Sequence, residues 1–201
     1  MPSIREFLGM VRQRLFKSPW TPPRPPITQP SKLAAYSDEH LAYEVGMLAR
    51  AAIYQPPDVP REVSEFLKSM RAEGFGLHLR NLIEFLYPNE FRPRPTSVCA
   101  HHFVASRSPY ADWLRMCPEL SSTLRRAKER ADRELAHLTT ARISGTPAIK
   151  HWDANALLPE IDRLVVLFSE CAASDRLGAK ARNTIAELSE VVRRYFGKKG
   201  T

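Results

Sequence analysis

Paired cysteines, glycine-rich phosphate loops and long apolar runs are all scarce in this chain of 201 residues. Its three cysteines, Cys99, Cys117 and Cys171, are odd in number and none stands in a CxxC spacing, which argues against a disulfide framework and favours a reducing compartment. The longest clean apolar run, Leu164 to Phe168, is far short of the ~20 residues a membrane-crossing helix needs. Charged residues enter the N-terminus too early for a secretory signal. The expectation is a cytoplasmic protein with no stable membrane insertion. The absence of a Walker-type glycine loop and of a GxSxG turn disfavours P-loop nucleotide hydrolysis and serine acyl transfer. No stretch alternates apolar and polar residues with period two, so nothing predicts a sheet.

Proline, basic charge and helical periodicity are what the chain has in quantity. With 43% hydrophobic and 26% charged residues, it has material for one globular domain of ordinary size. Six basic residues and one acidic residue give residues 1–36 a charge of +5, which leaves +3 of the net +8 for the rest. The basic excess is therefore N-terminal, and the globular part is close to balanced.

Residues 1–17 place Ile4, Phe7, Leu8, Val11 and Leu15 at helical spacing, with Arg5, Arg12, Arg14 and Lys17 outside that stripe. This predicts a short basic amphipathic helix that docks on protein, within the chain, across a dimer or on a partner. Residues 18–36 read as an extended linker, because six prolines between Pro19 and Pro30 remove donors and fix φ. Residues 37–197 then read as helical throughout. Ser37 or Asp38 is expected to cap a helix through Leu41, Val45, Leu48 and Ile53, ending at Gln55-Pro56-Pro57. Pro60 opens Arg61 to Met70, and Gly74 and Gly76 predict a kink or a change of helix before Leu77, Leu79, Leu82, Ile83 and Leu86. A loop from Pro88 to Pro95 and a less regular stretch with Cys99, His101, His102 and Trp113 follow. Further helices are predicted from Pro118 to about Arg142, from Trp152 to Ala173 and from Leu177 to Phe196. The fold class is all-α, an antiparallel bundle of four to five main helices.

Two places carry candidate chemistry. Cys99, His101 and His102 are close together, but structural zinc needs four ligands and no second pair follows, so no metal site and no cofactor is expected. In ERADRELAHLTTAR, residues 129–142, Leu124, Ala127, Ala131, Leu135 and Leu138 form the buried stripe of the predicted helix. Arg130, Arg133, Glu134 and His137 fall to one side of it, with Arg130 and His137 nearly two turns apart. A neutral histidine can take the proton of a ribose 2′-hydroxyl while a guanidinium holds the scissile phosphate, which is metal-independent RNA cleavage. A solvated Arg/Glu/His helix face is the plainer reading of the same residues.

The helical pattern and the stretch around His137 resemble the HEPN superfamily (higher eukaryotes and prokaryotes nucleotide-binding), whose toxins and abortive-infection proteins carry Arg, four to six residues, then His. Arg130, the six residues ADRELA, and His137 follow that rule, and Asp132-Arg133-Glu134-Leu135-Ala136-His137 is similar to the acidic, basic, two-residue, Ala-His ending of abortive-infection members. HLRNLIEFL, residues 78–86, resembles the preceding bundle helix of such proteins, which makes Arg80, Asn81 and Glu84 polar candidates facing the site. Ala131 stands where the family usually has a polar residue. The resemblance implies an endoribonuclease in a defence or toxin-antitoxin setting, with His137, Arg130 and Arg133 catalytic, and Arg80, Asn81, Glu84 and Asp132 supporting RNA binding. It also implies a homodimer whose protomers complete one cleft. The alternative is a non-catalytic bundle that binds a protein partner or RNA, as members with eroded motifs are taken to do.

Overall fold

The computed structural model of the protein describes residues 29–55, 57–91, 94, 96–135 and 152–197. The N-terminal amphipathic stretch, most of the proline-rich linker, and His137 with Leu138 lie outside the described residues. Every described element is helical. In chain order they are α1 (Pro30–Tyr36), a π-helical turn (Ser37–Leu41), α2 (Ala42–Ile53), α3 (Arg61–Leu86), α4 (Pro88–Phe91), a 3-10 turn (Ala100–Phe103), α5 (Pro109–Met116), α6 (Ser122–Glu134), α7 (Ala154–Cys171) and α8 (Ala179–Tyr195). Helix α2 packs on both α3 and α8, α8 packs on α7, and α6 lies on α3.

The core gathers where the chain is most aromatic. Phe168 of α7 meets Phe85 of α3 at 5.1 Å, Phe103 at 5.4 Å and Trp113 of α5 at 6.0 Å between ring centres, with interplanar angles of 81–83°. These are edge-to-face contacts, each adding roughly 0.5–1.5 kcal/mol to the gain from burial. Trp113 also donates its indole N–H to the Leu86 carbonyl at 2.7 Å, which satisfies the one polar atom of that ring and one open carbonyl at the end of α3. Its place on α5 corrects the irregular stretch expected there.

The helix expected to begin at Ser37 or Asp38 begins earlier, at Pro30, so the last seven residues of the predicted linker are helical. Proline in a first helical turn has no N–H to leave unmatched, which is why Pro30 opens α1 where the earlier prolines suggested only extension. Ser37 and Asp38 do act as caps, but of another helix. The Ala42 N–H reaches back to the Ser37 carbonyl, making a wide turn. There the Ser37 hydroxyl accepts from the Gly178 N–H at 2.8 Å, and Asp38 Oδ1 accepts from the Ala181 N–H at 3.0 Å. They therefore serve the first turn of α8, whose own N-cap, Gly178, has no side chain to offer. A Cβ at Gly178 would run into the Asp38 carboxylate. Its φ of −69° is one that any residue adopts, so glycine is required there for room and not for conformation.

Helix α3 is likewise longer than expected. It runs unbroken through Gly74 and Gly76 for 26 residues. Gly76 does not mark a kink, because it is where the Trp152 ring and the Leu135 side chain press on the helix: a Cβ there would meet Trp152 Cζ2 at 2.5 Å and Leu135 Cδ1 at 2.7 Å. Helix α6 starts at Ser122, not Pro118, since the Ser121 side chain accepts from the Leu124 N–H and caps it. Three turns into α3, Arg71 donates to the carbonyls of Ala51 and Ala52 at 2.8 and 2.9 Å, closing the C-terminal end of α2.

Candidate functional site

Arg80, Asn81 and Glu84 fall within one turn and a half of α3, and Lys128 and Asp132 lie one turn apart on α6. The crossing of these two helices joins four of the five into a charge cluster. Arg80 Nε is 2.6 Å from Asp132 Oδ1 and its Nη2 is 2.9 Å from Glu84 Oε1. Lys128 Nζ lies 3.0 Å from Glu84 Oε1 and 2.5 Å from Asp132 Oδ2. Two cations and two carboxylates thus balance one another, which is the condition under which Lys128 can be buried. Its ammonium also sits 4.4 Å from the centre of the Phe91 ring. Burial pushes the Asp132 carboxyl up, but the hydrogen bonds and charges of Lys128 and Arg80 outweigh it and hold the group below the usual carboxylate range.

The network continues onto α2. Asn81 accepts from Arg80 Nη1 at 3.3 Å and donates to Glu44 Oε2 at 3.2 Å, and the same carboxylate oxygen is 2.7 Å from Nδ1 of the buried His78. Beside it opens a cavity of about 690 Å³, with Tyr36, His40, Glu44, Arg80, Glu84 and Phe91 in its wall. The π-helical turn brings His40 into this wall, on the same segment that caps α8.

Arg130 lies elsewhere. Residues two apart on a helix are rotated by about 200°, so Arg130 and Asp132 flank the buried stripe of α6 on opposite edges. Arg130 Nε is 2.9 Å from Glu134 Oε2, and its guanidinium is 4.3 Å from the centre of the Trp152 ring. Arg133 is exposed on α6. The seven candidates read from the sequence thus do not form one constellation: Arg80, Asn81, Glu84 and Asp132 come together, Arg130 and Arg133 face away from them, and His137 lies outside the described residues. The expectation that Arg80, Asn81 and Glu84 face Arg130 is corrected by that rotation.

Glu44, His78 and Lys128 belong to the network without having been marked. Lys128 was legible in principle, one step from the apolar stripe and four residues before Asp132. Glu44 and His78 are 34 positions apart and carry no local signal.

Cys99, His101 and His102 surround the 3-10 turn without making a metal-holding group, and no such group occurs among the described residues. The His102 Nδ1 accepts from the Cys99 N–H at 3.1 Å, while His101 Nδ1, His102 Nε2 and Arg176 Nε are buried with no partner among the described residues. Burial, with His102 alongside, lowers His101 to about 3, and burial lowers His102 to about 4. Both rings are neutral at pH 7. Burial and the charge of Glu84 push the Cys99 thiol up to about 12, so it is a packing group and not a nucleophile.

No protein family, curated protein or solved structure matches this chain. Among the described residues no helix is long and apolar enough to cross a membrane.

Proposed function

We propose that the chain is a HEPN-like, metal-independent endoribonuclease acting in the cytoplasm, in a defence or toxin-antitoxin setting. His137 takes the proton of a ribose 2′-hydroxyl, Arg130 or Arg133 holds the phosphate that the resulting alkoxide attacks, and the bond to the 5′-oxygen of the next nucleotide breaks as that oxygen takes a proton from water. The observation that carries this reading is the 2.6 Å pairing of Arg80 with Asp132. It joins HLRNLIEFL to the helix leading into His137, the two segments on which the resemblance to that superfamily rests. In this reading the Arg80, Glu84, Lys128 and Asp132 cluster positions α6 and does not touch RNA, since its charges already satisfy one another. Two protomers face each other to complete the phosphate cleft.

The test uses the full chain, total RNA and EDTA. Cleavage leaving 2′,3′-cyclic phosphate ends is expected, lost in His137→Ala with an unchanged melting temperature. Intact RNA under conditions where a control ribonuclease cuts would overturn the reading. The commitment of Arg130 to Glu134 and Trp152 favours a second reading, a non-catalytic bundle that binds RNA or a protein partner. Under it, wild type retains RNA without cutting it and His137→Ala changes nothing.

A further inference from the structure

The N-terminal half of α3 touches the core only near its end, at Ala72. None of residues 61–74 is buried, and Arg71 hydrogen-bonds to the carbonyls that end α2. On the face turned away from the packed side, Val63, Phe66, Met70 and Leu77 are 45, 62, 53 and 45% exposed. Their spacings of three, four and seven residues keep them in one straight line along the helix. A continuous apolar line of this kind, a few hundred Å² in area, is rarely left open on a soluble protein.

We infer that this line is the docking surface of residues 4–15 of the same chain. Pattern and length agree first. Ile4, Phe7, Val11 and Leu15 repeat at helical spacing over twelve residues, about 16 Å of helix, against about 21 Å from Val63 to Leu77. Reach agrees next. The end of α2 lies beside Arg71, and its Glu44 lies beside His78 and Asn81. Counting back through the π-helical turn puts the start of α1 about 10 Å beyond the end of α3, roughly 25 Å along the axis from Leu77. Residues 16–29 span up to about 43 Å in polyproline form, enough to cover that distance with a lateral crossing.

Charge selects this occupant over the others. Glu62 and Glu73 border one side of the line, while Lys68 is paired with Glu65 at 2.9 Å and Arg71 is turned to the α2 carbonyls. Arg5, Arg12, Arg14 and Lys17 border the N-terminal stripe and meet those carboxylates. An anionic membrane would be repelled by them, and a second copy of α3 would bring no surplus of positive charge. The inference does not rest on the ribonuclease reading.

Hydrogen exchange of the full-length protein tests it, at concentrations where sedimentation shows one species. Amides of residues 4–15 are expected to exchange at least tenfold more slowly than unprotected ones. That protection disappears in Phe66→Asp, in Met70→Glu and in Phe7→Asp, while α7 and α8 keep theirs. The two α3 substitutions are independent, so one that failed to fold leaves the other to decide. Unprotected residues 4–15 in wild type, or protection that survives both α3 substitutions, would overturn the inference. So would protection that rises with protein concentration, which assigns the surface to a second copy, or that arises only on phosphatidylserine vesicles, which assigns the segment to membranes.

Discussion

Asp132 shows how a residue chosen for one role can be held by another. The sequence pattern placed it beside His137 as an RNA-supporting acid, and the structure surrounds it with Arg80 and Lys128. Replacing its charge in Asp132→Asn leaves the buried Lys128 and the half-buried Arg80 sharing Glu84, so a loss of roughly 1–2 kcal/mol is expected from urea unfolding at pH 7. The sign of its pH dependence is fixed. Its folded pKa is lowered, so the unfolded chain binds the proton more readily, and its contribution is present above about pH 4 and lost as pH falls below that. The gap between wild type and Asp132→Asn should therefore narrow as pH falls below about 4, and a gap that stays constant as pH falls would refute the cluster's role. Arg80, Asn81 and Glu84 were marked as a set by the resemblance of HLRNLIEFL to a bundle helix of the HEPN superfamily. That they face Asp132 and not Arg130 was not legible in the sequence, since it depends on which edge of α6 meets α3.

At the level of elements, two glycines two residues apart make opposite demands. Both were read as helix breakers, because glycine costs about 1 kcal/mol against alanine in a helix interior. In α3 only Gly76 has a reason to be glycine, with Trp152 and Leu135 against it, whereas a Cβ at Gly74 would meet nothing within 4 Å. Gly74→Ala is expected to raise stability by about 0.4–1 kcal/mol, and Gly76→Ala to lower it by about 1–3 kcal/mol. Thermal unfolding of the two variants reads this directly. Equal shifts of the same sign would mean that the Trp152 contact does not hold in solution. The helix limits that periodicity and caps could supply, the end of α2 and both ends of α7 and α8, came out within a few residues. Those that failed depend on partners distant in the chain: the unbroken α3 needs Trp152 to explain Gly76, and the start at Pro30 needs α8 to explain Ser37 and Asp38.

For the molecule as a whole, the all-helical class followed from the lack of period-two alternation, and the helices found bear it out. Its response to acid follows from two histidines that the sequence could only offer as metal ligands. His101 and His102 are neutral and buried, with folded values near 3 and 4 against about 6.5 for a free histidine. Their contribution is therefore complete above about pH 6.5 and is lost progressively as pH falls from there to about 4 for His102 and about 3 for His101, at up to about 1.4 kcal/mol per pH unit for each. Urea midpoints should fall across that window. His101→Phe keeps a ring against Tyr110 and His102 and removes a nitrogen without a described partner, so it should reduce the slope and leave stability at pH 7 equal or higher. A slope unchanged by this substitution would place the acid sensitivity elsewhere.

Leu33 and Val45 are both shut away from water although they stand twelve positions apart, a separation that puts them about 120° out of phase on an unbroken α-helix. The π-helical turn between them absorbs one residue and brings the offset back to about 20°. The chain thus carries one supernumerary residue between two core positions. Removing it would let a plain helix join Leu33 to Val45 in phase, with the core still filled, but the donated cap of α8 would be gone. The surplus residue serves the neighbouring helix and not its own.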